Sequence, residues 1–144
     1  MKLTMPSIHY LALLPILIFF GAALLLMGIS ALRSRRLATS AATVTTVLAC
    51  VAVLVVNFVQ WSYVDHHGPT TTVAHALVLD GFAVVATSVI AFAMLLSALV
   101  AHDWAIRERV TGVDYHVLAL AASAGAMVMA QANDLVVIFL GLEI

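Results

Sequence analysis

The sequence predicts an all-α integral membrane protein: a transmembrane bundle of four helices plus the first half of a fifth. Three observations carry this. Hydrophobic residues make up 65% of the chain and charged residues only 9%, whereas soluble domains hold roughly 25% charged residues. The mean hydropathy is +1.17. The apolar residues also fall in long runs, and about 20 such residues in a helix cross a hydrocarbon core about 30 Å thick. Backbone groups cannot stay unpaired in lipid, so these runs fold as helices even where β-branched residues crowd, as in VAVLVVNFV.

The first helix covers residues 8–32. A secretory signal has an apolar stretch of about 7–15 residues before a cleavage site. This run is longer and meets Arg33 on its far side, so it reads as an uncleaved span. Pro15 removes one amide within it, a common feature of membrane helices. The second helix covers 37–60 and contains Cys50, the only cysteine. One cysteine excludes an intrachain disulfide and a cysteine metal site, and its apolar setting reads as simple burial.

The third helix covers 81–101 and opens on Asp80-Gly81, with Asp80 placed to accept hydrogen bonds from first-turn amides. The fourth covers 115–132. Ala121 and Gly125 stand four apart in it, as do Ala122, Ala126 and Ala130. Small residues at this spacing let helices approach closely, which places the fourth helix inside the bundle. His116 lies near its start, either as an ordinary interface histidine or as a member of a proton path. The fifth helix occupies 135–144 behind Asn133-Asp134. Asp134 reads as its cap, with a place on a proton path as the alternative.

Orientation follows from the positive charges. Arg33, Arg35 and Arg36 separate helices one and two, and Arg107 and Arg109 separate three and four. Only Lys2 falls on the other side. Loops 33–36 and 102–114 are therefore expected in the cytoplasm and the N-terminus outside. The outer loop, 61–80, holds Trp61 and Tyr63 as expected interface anchors. Its histidines, His66, His67 and His75, lack a recognised ligand spacing and read as solvated, with no metal site expected. A net charge of -1 gives no footprint for nucleic acid.

Glu143 interrupts the apolar run LVVIFLGLEI. Eight residues past Leu135, it lies roughly 12 Å into the membrane at about 1.5 Å per residue. An ionised group at that depth costs about 2.5–3.5 kcal/mol or more. It either holds a proton because burial raises its pKa, or stays ionised beside a cation on another helix. Either state makes it a candidate proton-transfer group; the alternative is a protonated Glu that serves as packing glue. Lys2 and the arginines lie near the membrane edges, so a cationic partner is expected outside these residues. A helix stopping at mid-membrane would leave carbonyls unpaired, so the chain is expected to be part of a longer protein.

The stretch DYHVLALAASAGAMVMAQANDLVVIFLGLEI, residues 114–144, resembles the antiporter-like subunits of the bacterial proton-pumping NADH:quinone oxidoreductase, respiratory complex I. The matching features are Asp114-Tyr115, Gly125, the AND-L step before helix five, and FLGLE from Phe139 to Glu143. Leu142 favours subunit N, because subunits L and M and the Mrp-type antiporters tend to have Trp there. The resemblance implies that 1–113 holds three auxiliary helices and that 114–144 opens the first of two inverted repeats. It implies that Glu143 pairs with a lysine on a later helix and that electron transfer from NADH to quinone drives proton translocation. It implies no cofactor in this chain; the complex would use NADH, FMN, iron–sulfur clusters and a quinone. The implied partners are subunit M, small membrane subunits and the lipid bilayer, in the bacterial cell membrane. The alternative on the same repeat is a stand-alone Mrp-type cation/proton antiporter.

Overall fold

The computed structural model describes residues 9–32, 35–108 and 113–144. Lys2, Arg33 and Arg109 lie outside the described residues. The chain forms α1 (Tyr10–Leu32), α2 (Arg35–His67), β1 (Thr70–Thr72), β2 (Leu77–Leu79), α3 (Gly81–Glu108), α4 (Val113–Gln131) and α5 (Leu135–Glu143). The first four helices are each long and apolar enough to cross a membrane. The protein is a membrane helical bundle with one small hairpin.

Several helices run further than hydropathy alone places them. Helix α2 continues past Gln60 to His67. Within it Ser62 Oγ donates to the Phe58 carbonyl, and the His66 and His67 rings bond to the carbonyls of Ser62 and Tyr63. The polar segment therefore stays helical, and His66 and His67 lie on a helix and not in a loop. Gly68 ends it in a left-handed conformation, φ 76, a stop that glycine adopts without the usual Cβ penalty. Its N–H still bonds to the Val64 carbonyl at 2.8 Å, and Pro69 follows. Helix α3 likewise runs past Ala101 to Glu108, because HDWAIRE is polar but contains no helix breaker. Arg35 and Arg36 belong to the start of α2, and Asp114 to the first turn of α4.

Helix α4 is the hub. It packs against α1, α2, α3 and α5 and touches β2. The core joins Phe19 and Leu26 of α1, Cys50 and Val53 of α2, Met94 of α3, and Leu120, Ala124 and Met127 of α4. The buried face of α4 comprises Val113, His116, Leu120, Ala124, Gly125, Met127 and Gln131. Of the two small-residue rows, the one through Gly125 is therefore the close-contact row. Ala122 is exposed, so its row does not form the interior face. Large apolar residues, Leu24, Phe58, Val89, Phe92 and Leu118 among them, are left exposed on the outside of the bundle.

The segment between α2 and α3 is a hairpin, with Thr70 paired to Leu79, Thr71 to Val78 and Thr72 to Leu77. Leu79 joins Ala12 and Val84 in a second cluster that Tyr63 packs against. Tyr63 also stacks on His67, with ring centroids 4.5 Å apart. It is thus a packing residue, whereas Trp61 remains 50% exposed as an interface anchor would be. The hairpin tip has three successive non-glycine residues in the left-handed region: Val73 (φ 53), Ala74 (φ 55) and His75 (φ 68). Each such residue costs roughly 1–2 kcal/mol, so other contacts must hold the tip.

Candidate functional site

Those contacts come from the step between α4 and α5. The Asn133 backbone N–H donates to the Ala76 carbonyl at 2.9 Å, and its side-chain Nδ2 donates to the His75 carbonyl at 2.9 Å. Leu77 forms an isolated bridge with Ala132. The left-handed tip thereby turns two consecutive carbonyls toward one asparagine. At the other edge, Thr72 Oγ1 accepts from the His9 N–H at 2.9 Å. The hairpin therefore ties the start of α1 to the start of α5.

Asp134 caps α5. Its backbone is extended (φ -136, ψ 145) and its Oδ1 accepts from the Val136 N–H at 3.3 Å. Asp80 does the same for α3 more tightly, its Oδ1 accepting from Ala83 N–H at 2.7 Å. From Asp134, α5 lies against α4 through glycine. A Cβ on Gly125 would stand 2.6 Å from the Gly141 carbonyl oxygen. Gly141 is the one buried residue of α5, and Leu135, Val136, Phe139, Leu140 and Leu142 face outward.

Glu143 sits on the last turn of α5 and is exposed, beside the equally exposed Leu142 and Ile144. Phe139 and Leu140, one turn back, offer an anion nothing. Among the described residues Glu143 has neither a hydrogen bond nor an ion pair. The structure does not bring Glu143, His116 and Asp134 together. Asp134 opens α5 and Glu143 closes it, while His116 lies in the first turns of α4.

His116 is no surface histidine; it is 1% exposed. Its Nε2 lies 3.3 Å from Thr43 Oγ1, which also lies 3.0 Å from His102 Nδ1. Beside it Tyr115 meets the His116 ring edge-on at 5.5 Å and shares a 2.5 Å hydrogen bond with Ser97 Oγ. Thr43 and His102 had no signal of their own in the sequence, because only the packing of α2 on α3 and α4 joins them. Further buried polar groups line the bundle. Asn57 Nδ2 donates to Ser88 Oγ at 2.9 Å, and Gln60 Nε2 donates to the Leu11 carbonyl. His75 bonds to Thr71 Oγ1 at 2.9 Å. Among the described residues, no three His, Cys, Asp or Glu side chains are grouped to hold a metal.

Spanning helices, a hub helix crossed through glycine by a capped fifth, and a carboxylate on that fifth helix define a multi-pass helical membrane protein with an ionisable group on an apolar element. No family model matches the chain. Curated relatives do, and three of them carry one name, NADH-quinone oxidoreductase subunit N. The protein of Methylobacterium nodulans is 34% identical over 133 residues, 91% of this chain and 26% of its own. That of Solibacter usitatus, called subunit N 1, is 35% identical over 68 residues, 47% of this chain and 14% of its own. That of Rhodospirillum rubrum is 35% identical over 65 residues, 45% of this chain and 13% of its own. The resemblance seen in residues 114–144 thus extends, as similarity to a protein named subunit N, over nine-tenths of the chain. The chain spans about a quarter or less of the length of these relatives. None of the three names supports a stand-alone antiporter.

Proposed function

We propose that the chain is part of a membrane subunit of an NADH:quinone oxidoreductase that couples electron transfer to proton translocation. The observation that carries this reading is the 34% identity, over 91% of the chain, to a protein named subunit N. In this reading Glu143 takes up and releases a proton within the membrane, paired with a lysine on another helix. Residues 114–144 open the first repeat, and 1–113 supply three auxiliary helices. Asp134 serves by capping the helix that carries Glu143. NADH, FMN, iron–sulfur clusters and quinone bind elsewhere in the complex. The neighbours are subunit M, small membrane subunits and lipid in the bacterial cell membrane. The arginines at one end of the spans support a cytoplasmic side there and an N-terminus outside.

The physical case for Glu143 is its setting. A carboxylate exposed among Phe139, Leu140 and Leu142 is costly when ionised in hydrocarbon and much less so when protonated. A cation brought near it reverses that preference, so its proton is held or released according to a neighbouring charge. The test is NADH-driven acidification of inverted membrane vesicles. Glu143→Gln, which keeps shape but cannot ionise, is expected to leave the complex assembled and its pumping a small fraction of wild type. Glu143→Asp should retain more. Wild-type pumping by the Gln variant would reduce Glu143 to packing.

A further inference from the structure

The end of the bundle where α2, α3 and α4 meet holds a polar cluster that the reading above leaves unused. One oxygen, Thr43 Oγ1, lies within reach of two imidazoles from two other helices, 3.0 Å from His102 Nδ1 and 3.3 Å from His116 Nε2. The cluster is graded in depth. His102 is half-buried, Thr43 buried, and His116 almost wholly enclosed. The far ring nitrogen of His116, Nδ1, is also buried and has no hydrogen-bond partner among the described residues.

Each fact has a chemical meaning. Leaving a buried ring nitrogen unpaired is unfavourable, so packing alone would favour an apolar residue at 116. A threonine hydroxyl donates one proton and accepts through two lone pairs, so it can receive from one imidazole while giving to another. An imidazole takes a proton at one nitrogen and releases it at the other, and histidine is the side chain whose charge ordinarily changes near neutral pH.

We propose that His102, Thr43 and His116 form a proton relay from the membrane edge into the bundle. Water at the edge protonates Nε2 of neutral His102, making an imidazolium. Its Nδ1–H passes to Thr43 Oγ1 as the Thr43 hydroxyl proton passes to Nε2 of His116. His102 returns to neutral, the hydroxyl is restored, and His116 becomes the imidazolium, with Nδ1–H facing the interior. One proton has moved inward, and His102 is left as its Nε2–H tautomer, which a flip of its half-buried ring resets for the next proton. The acceptor beyond Nδ1 is water or a carboxylate. Glu143 lies near the level of Gly125, nine residues past His116, about 13 Å along the axis of α4.

Among the described side chains, the other charged groups at this end are exposed. On α3, Asp103, Arg107 and Glu108 are exposed. On α4, Asp114 is exposed, and Tyr115 is held by Ser97. Helix α1 contains no Asp, Glu, Lys, Arg or His. The side chains of Arg35 and Arg36 on α2 lie outside the described residues.

The relay rests on the proton-translocation reading only for the proton's destination, so the decisive measurement avoids pumping. In the full-length protein in lipid, with ¹⁵N-labelled histidine, the His116 ring is expected to take up a proton as the medium is titrated from neutral into the acid range. Thr43→Ser should keep that response, and Thr43→Val should slow proton exchange at His116 by about 10²-fold, the scale of losing one positioned proton carrier. If Thr43→Val does not fold, His102→Gln gives the same test, since Gln bonds to the hydroxyl but carries no proton through. A His116 ring fixed as one neutral tautomer across this range, or exchanging equally fast in Thr43→Val or His102→Gln, overturns the relay. Glu143→Gln with full pumping removes Glu143 from the proton path and leaves the relay standing.

Discussion

Gly125 and Gly141 face each other so closely that neither tolerates a methyl group. A Cβ on Gly125 would stand 2.6 Å from the Gly141 oxygen, and one on Gly141 would stand 2.9 Å from the Gly125 oxygen. Backbone blocks the Gly125 side, and at Gly141 the Met129 side chain stands closer still, its Cγ 2.6 Å from such a Cβ. Gly125→Ala is therefore expected to push α5 off α4 and to lower stability by about 1–3 kcal/mol, the usual cost of overpacking. Gly28→Ala is the control, because nothing lies within 4 Å of a Cβ there. Thermal unfolding in detergent should separate the two; equal midpoints would mean the crossing is looser than described.

Asn133 holds two hairpin carbonyls at once. Asn133→Ala removes the side-chain bond to His75 and should cost about 0.5–1.5 kcal/mol. Asn133→Asp should cost more, since a carboxylate in place of the amide donor faces a carbonyl. Hydrogen exchange at the paired amides of Leu77–Leu79 should accelerate in the same order. Unchanged exchange in both variants would show that the hairpin stands without this clasp.

Val73 is β-branched and sits at φ 53. Val73→Gly removes the left-handed penalty and loses little, because the side chain is exposed. The expected gain is about 1 kcal/mol after glycine's own entropy cost, read as a higher unfolding midpoint. A lower midpoint would show that the Val73 side chain contributes packing that outweighs its strain.

Asp80 and Asp134 cap their helices at different lengths, 2.7 Å and 3.3 Å. Asp80→Ala should cost about 1 kcal/mol, as for a well-formed cap, and Asp134→Ala less. Asp80→Ser should restore most of the loss. Equal effects of the two alanine substitutions would argue against distance as the deciding factor.

The span count, both caps and the close-contact role of Gly125 were legible because each rests on local chemistry: hydropathy, a carboxylate before free amides, an absent side chain. What escaped needed either a competing local signal or a third dimension. Residues 61–67 look like a loop to a hydropathy scale, yet helix α2 runs through them until Gly68. Val73, Ala74 and His75 contain neither Gly nor Asn, so nothing in them announces left-handed backbone. Asn133 reads as half of a capping pair, and its hold on residues 75 and 76 appears only when the hairpin is in place. His102 and Thr43 are ordinary polar residues until the packing of α2, α3 and α4 brings His102 and His116 to the Thr43 hydroxyl. Glu143 was legible as an anomaly and remains one in the fold, exposed on an apolar helix.

The hub position of α4 also sets a timetable for synthesis. Helix α1 packs heavily on α4, yet the ribosome must still make the chain from Leu32 to Val113 before that partner exists. At about 5–20 residues per second the delay is roughly 4–16 s. During it the newborn first helix, with Phe19 and Leu26 not yet covered by α4, has only α2 and lipid against its side. An insertase or chaperone acting on this protein would therefore find its substrate in that interval, and slowing translation between the two helices would lengthen its access.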